Sequence, residues 1–141
     1  MSALPVSCCS ASQKPTKRVL TRVELALQIA SCEHVSVLRC RGRLTYGPET
    51  AEFVRAARQA LESTKEIVVQ MAEVTHIDSG GVGALGSVLI TARRQNAEIK
   101  LAKLHPRVAE VLRITGLDLL FDIHPSESEA VAAFLTKRAL A

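Results

Sequence analysis

At 141 residues and 48% hydrophobic content, the chain has the size of one domain with an interior of its own and is too apolar for a disordered polymer. No apolar run reaches bilayer length, and Met1–Ser12 lacks the basic and apolar regions of a signal peptide, so a cytoplasmic protein is expected. The net charge of +4 argues weakly for nucleic acid, since Lys14, Lys17 and Arg18 carry three of those charges and there is one tyrosine and no tryptophan. Cys8, Cys9, Cys32 and Cys40 lack metal-ligand spacing and read as free thiols in a reducing compartment.

Residues 1–17 are rich in Ser, Cys, Ala and Pro without periodicity and read as a flexible extension, leaving 18–141 as the folded domain. Val23, Leu25, Leu27 and Ile29 then alternate with Glu24, Ala26 and Gln28, which predicts a strand with one buried face. Ser31–His34 reads as a polar turn and Val35–Cys40 as a second strand, the short connection favouring an antiparallel hairpin. Gly42, Gly47 and Pro48 punctuate Arg41–Pro48 as a loop, with Pro48 opening a helix. That helix buries Phe53, Val54, Ala57, Ala60 and Leu61 and turns Glu49, Glu52, Arg55, Arg58 and Glu62 outward.

Glu66–Met71 is a short apolar run, read as a buried strand, followed by a loop. Asp78 is placed to cap a helix reaching about Gln95, with Val82, Leu85, Leu89 and Ala92 at helical spacing. Gly83 and Gly86 are costly inside a helix and imply either packing on the sheet or a smooth docking face. Glu98–Lys103 reads as a strand, and Pro106 starts a helix burying Val108, Val111 and Leu112 that Gly116 ends as a left-handed cap. Leu119–Ile123 reads as a last strand. Ser126 and Glu129 form a capping box for a final helix that buries Val131, Phe134 and Leu135 and ends in Lys137-Arg138. The order ββαβαβαβα predicts an α/β domain, a small mixed sheet flanked by about four helices.

The segment Ile77-Asp78-Ser79-Gly80-Gly81-Val82-Gly83 resembles the Asp-Ser-Ser/Thr-Gly-Leu-Gly signature of STAS domains, and of the anti-sigma factor antagonists among them in particular. Arg113-Ile114-Thr115-Gly116-Leu117-Asp118-Leu119-Leu120-Phe121 is similar to that family's Leu-Thr-Gly-Leu-Asp-x-x-Phe segment. The resemblance implies the STAS fold and a partner-switching role. In that role Ser79 is the phosphoacceptor, and Thr45, Asp78, Ser79, Gly80, Gly81 and Val82 form the partner-binding surface. The implied partners are an anti-sigma factor with serine kinase activity and a serine phosphatase that resets the switch; neither nucleic acid nor membrane insertion is implied. The chain departs from the family pattern in having Gly80 where many members have Ser or Thr, and Thr45 where many have Asp. STAS subunits of lipid-transport ATP-binding-cassette complexes, and ligand-sensing STAS modules, are the alternative roles.

The residues themselves point to no enzyme, metal or cofactor. His34, His76, His105 and His124 are scattered, with His76 reading as a loop residue. Ser79 lacks the Gly-x-Ser-x-Gly elbow, and no Gly-Lys-Ser/Thr follows the glycines. Asp118 and Asp122 read as surface or capping groups.

Overall fold

The structure is a computed structural model. It describes residues 14–15 and 24–140, with side chains described for 24–137. Val23, Cys8, Cys9 and most of the presumed extension lie outside the described residues, as does the side chain of Arg138.

Six strands and four helices are described: β1 (Lys14–Pro15), β2 (Leu25–Cys32), β3 (Val35–Leu44), α1 (Pro48–Ser63), β4 (Glu66–Ile77), α2 (Ser79–Arg94), β5 (Glu98–Ala102), α3 (Pro106–Thr115), β6 (Asp122–His124) and α4 (Glu127–Leu140). The sheet order is β1-β2-β3-β4-β5-β6. β2 runs antiparallel to both of its neighbours, β1 and β3, and β3 through β6 run parallel. The expected mixed sheet with four helices is thus present. β1 is an addition to it, drawn from the stretch read as an extension: Lys14 and Pro15 pair with Ile29 and Gln28.

Each parallel crossover steps one strand along the sheet in the same direction and has the same hand, which puts α1, α2 and α3 on one face. Their apolar stripes, including Phe53, Leu61, Leu85, Val88 and Leu112, pack on Leu38, Ile67, Val69 and Leu101 in the larger core. The alternate strand residues Val37, Val68 and Ala102 face the other side, where α4 contributes Ala130, Val131 and Phe134. The expected burial of Leu85 and Leu89 holds, and Val111 is half-buried.

Lys100, on the face covered by α4, is 4% exposed. Its ammonium reaches Asp122 at 2.5 Å and Glu98 at 3.0 Å, and lies 4.6 Å from the centre of the Phe134 ring. Burial opposes the charge, but the hydrogen bonds to Asp122 and Glu98 outweigh it and raise the ammonium pKa. Asp122 is exposed, as expected of a surface group, and also serves as one of the two carboxylate partners of Lys100.

Several boundaries differ from the sequence reading. The β2–β3 turn is only Glu33-His34, both at positive φ, since Cys32 pairs directly with Val35. β3 does not stop at Cys40: Arg41–Leu44, read as a loop, continue the strand to Ile77 of β4 through two register shifts. Gly42 permits this at φ 120, where an L side chain is strained and a Cβ would run into the Glu24 carbonyl. Glu49 faces inward, not outward: it is 8% exposed, and its carboxylate accepts the Glu24 N–H at 2.9 Å, satisfying the start of β2. Leu119–Ile123 is not one strand. Gly116, at φ 82, ends α3 as expected, but Leu117–Leu119 form a 3-10 turn and only Asp122–His124 pair with β5. At the start of α4, Ser126 Oγ accepts the Glu129 N–H at 3.1 Å, one half of the expected capping box.

Candidate functional site

β4 is twelve residues long and runs to Ile77, so the loop expected after Met71 is strand and the chain passes straight from Ile77 into the cap of α2. The reason is the long β3: once Arg41–Leu44 are extended, Glu73–Ile77 have a ladder partner. His76 is consequently an exposed strand residue bonded to Thr75 at 2.9 Å, not a loop residue beside Asp78.

Asp78 is the N-cap, with an extended backbone. Its carboxylate accepts the Gly81 N–H at 3.0 Å and the Tyr46 N–H at 3.1 Å. The first bond satisfies a helix-start donor. The second ties the β3–α1 loop to α2. The Tyr46 and Gly81 N–H groups hold the Asp78 carboxyl below the usual carboxylate range. A depressed folded-state pKa means stability that is present above the unfolded pKa and lost as pH falls through the folded one. Asp78→Asn retains an acceptor but not the charge. Wild type should therefore melt above Asp78→Asn at neutral pH, and the gap should close as pH falls below the carboxylate range. A gap that does not change with pH would refute this account of the cap.

Ser79 is the first residue of α2 and is exposed. Its hydroxyl makes no hydrogen bond among the described residues. Val82 is half-buried and closes the first helical turn onto the Asp78 carbonyl at 2.9 Å. Gly80 and Gly81 carry no side chains beside the hydroxyl, but the space this leaves is filled from within. A Cβ on Gly80 would lie 2.6 Å from the Tyr46 Cβ, and one on Gly81 would collide with the Leu44 carbonyl oxygen. Both are glycine because the end of β3 and its loop press on the first turn of α2. Thr45, half-buried between Leu44 and Tyr46, belongs to the same loop. All six residues of the expected partner surface therefore lie on two abutting segments.

Gly83 and Gly86 behave in the opposite way. A Cβ on either meets nothing within 4 Å, so packing on the sheet is not their reason.

Tyr46 was missed by the sequence reading. It is 82% exposed, its backbone is pinned by Asp78, and it opens a groove between α1 and α2 lined by Thr50, Val54, Arg58, Gly80 and Ala84. The available signal was a lone aromatic set between Thr45 and Gly47 in an otherwise polar stretch.

Among the described residues, no group of three or more His, Cys, Asp or Glu is arranged to hold a metal, and no helix is long and apolar enough to cross a membrane. Cys32 and Cys40 are both buried.

Comparison with known proteins agrees with this architecture. A family model of the STAS domain matches residues 26–130. A STAS-domain containing protein of Pseudomonas aeruginosa is 29% identical over 86 residues, covering 61% of this chain and 84% of that protein. BtrV of Bordetella bronchiseptica, named as a candidate anti-sigma factor antagonist, is 30% identical over 80 residues, covering 57% of this chain and 69% of that protein. Among solved structures, the anti-sigma factor antagonist SpoIIAA in its unphosphorylated form superposes with a TM-score of 0.68 at 19% identity, covering 79% of this chain and 97% of that one. SpoIIAA of Bacillus in its phosphorylated form gives 0.62 at 19% identity, covering 77% of this chain and 99% of that one.

Proposed function

The chain belongs to the STAS domain family, among the anti-sigma factor antagonists, and from that membership we propose that it binds an anti-sigma factor with serine kinase activity and is released when Ser79 is phosphorylated. The observation that carries this reading is the Ser79 hydroxyl, exposed and unbonded at the first position of α2, directly after the N-cap. An enzyme can reach such a hydroxyl without unfolding anything. The resulting phosphate adds about −1.5 to −2 charges. At this position the helix dipole and free N–H groups favour the anion, so the fold tolerates it. A partner surface closed over the same spot does not, because the charge is then desolvated without a counter-charge. A single modification thus separates fold from binding, and a serine phosphatase restores the binding form. Departure from Asp at Thr45 does not remove the loop contact to α2, since the Tyr46 backbone N–H supplies it to Asp78.

The test begins by recovering the serine kinase partner by affinity capture and purifying it. Wild type, Ser79→Ala and Ser79→Asp are then compared for affinity, and mass spectrometry locates phosphate after incubation with kinase and ATP. The expected result is phosphate on Ser79, none on Ser79→Ala, wild-type affinity for Ser79→Ala, and affinity for Ser79→Asp reduced by about tenfold or more, a charge left unpaired at an interface costing several kcal/mol at most. All three proteins should melt at closely similar temperatures. Absence of phosphate on Ser79, together with wild-type affinity for Ser79→Asp, would refute the switch and leave a constitutive binding role.

A further inference from the structure

We propose that Tyr46 is the anchor by which the kinase acting on Ser79 grips this protein, and that Gly80 is glycine to seat that residue. The inference rests on the reading of Ser79 as the phosphoacceptor and adds to it the residue that holds the partner in place.

Three observations combine. First, Tyr46 is 82% exposed, and its hydroxyl has no hydrogen-bond partner among the described residues, so its ring adds little to the fold. Second, its backbone is held: both Asp78 carboxylate oxygens accept its N–H at 3.1 Å. An aromatic side chain on a fixed backbone loses little entropy on binding, which is why exposed Tyr is enriched among the residues that dominate interface energies. Third, Tyr46 lies against the residue that follows the phosphoacceptor. A Cβ on Gly80 would stand 2.8 Å from the Tyr46 Cα and 3.1 Å from its Cδ1.

Proximity identifies the occupant. An enzyme that transfers phosphate to Ser79 must bring its own site to bonding distance of Oγ. A specific protein interface covers roughly 800 Å² on each side, whereas Tyr46 touches the very next residue. The ring is therefore inside the footprint of any enzyme that acts on Ser79. The groove behind it has an apolar floor of Val54 and Ala84, which suits an apolar side chain of the kinase packed against the ring.

The experiment uses the full chain and the purified serine kinase that modifies Ser79. Binding and phosphorylation are measured for wild type, Tyr46→Ala, Tyr46→Phe and Ser79→Ala. Tyr46→Ala is expected to bind about tenfold or more weakly, as for a residue central to an interface. Phosphorylation of Ser79 should fall in the same proportion at low kinase and recover at saturation, with the melting temperature unchanged. Tyr46→Phe should stay within about threefold of wild type, the span of an ordinary surface change, because the ring and not the hydroxyl makes the contact. Tyr46→Ala binding within that same threefold, while Ser79 is still phosphorylated, would overturn this inference and leave the switch standing. No phosphate on Ser79 would overturn both.

Discussion

Gly81→Ala is expected to destabilise the protein by about 2–3 kcal/mol, the scale of forced overpacking, whereas Gly83→Ala, two residues along the same helix, should stabilise it by about 0.5–1 kcal/mol. The opposite signs follow from what a methyl group meets. At Gly81 it collides with the Leu44 carbonyl, a backbone atom in a strand laddered to β4, so neither side can give way cheaply. At Gly83 it meets nothing within 4 Å, and alanine relieves the entropic cost of glycine in a helix. Urea unfolding of the two variants checks both. Equal midpoints would show that the close approach of β3 to α2 is not fixed. If Ser79 is the phosphoacceptor, as proposed, Gly81→Ala should also slow its phosphorylation, because relieving the collision with Leu44 shifts the start of α2.

Phe134→Ala should cost about 3–5 kcal/mol, the range for removing a fully buried aromatic. Phe134 is 0% exposed, and it sits in a small core where α4 is the only helix among the described residues. The larger core on the other face draws on α1, α2 and α3 and can lose a side chain with more neighbours left to relax. Phe134 also shields the Lys100 ammonium, 4.6 Å from its ring centre. Truncation therefore removes a cation–π contact together with the apolar burial. Against a typical total stability of about 5–15 kcal/mol, that loss should lower the melting temperature by many degrees. A cost under about 1 kcal/mol, normal for surface positions, would mean that α4 does not seal that face.

Much of the architecture could be read directly from local chemistry. Alternation in β2, the apolar periodicity of the helices, the cap at Asp78 and the left-handed Gly116 are each set by residues adjacent in the chain, and all appear in the structure. The five contiguous members of the expected site, Asp78 to Val82, were named from the resemblance of their motif, and they form the cap and first turn of α2. What sequence could not supply was anything that depends on a second segment. β3 and β4 are longer than their apolar runs because each supplies the other's ladder, so the polar residues Arg41, Arg43, Glu73 and Thr75 are extended against their own local signals. Glu49 is acidic and on a helix, and only the position of the Glu24 N–H makes it an interior residue. The neighbouring glycines of α2 look alike in sequence. Gly80 and Gly81 are demanded by contact with Leu44 and Tyr46, while Gly83 and Gly86 are not demanded by the fold at all. Tyr46 itself acquires its place beside Ser79 only when Asp78, 32 positions later in the chain, accepts its backbone N–H. Local propensity decides which elements form; the satisfaction of buried backbone groups and the exclusion of overlapping atoms, both properties of chain segments brought together, decide where those elements end and which residues surround the hydroxyl.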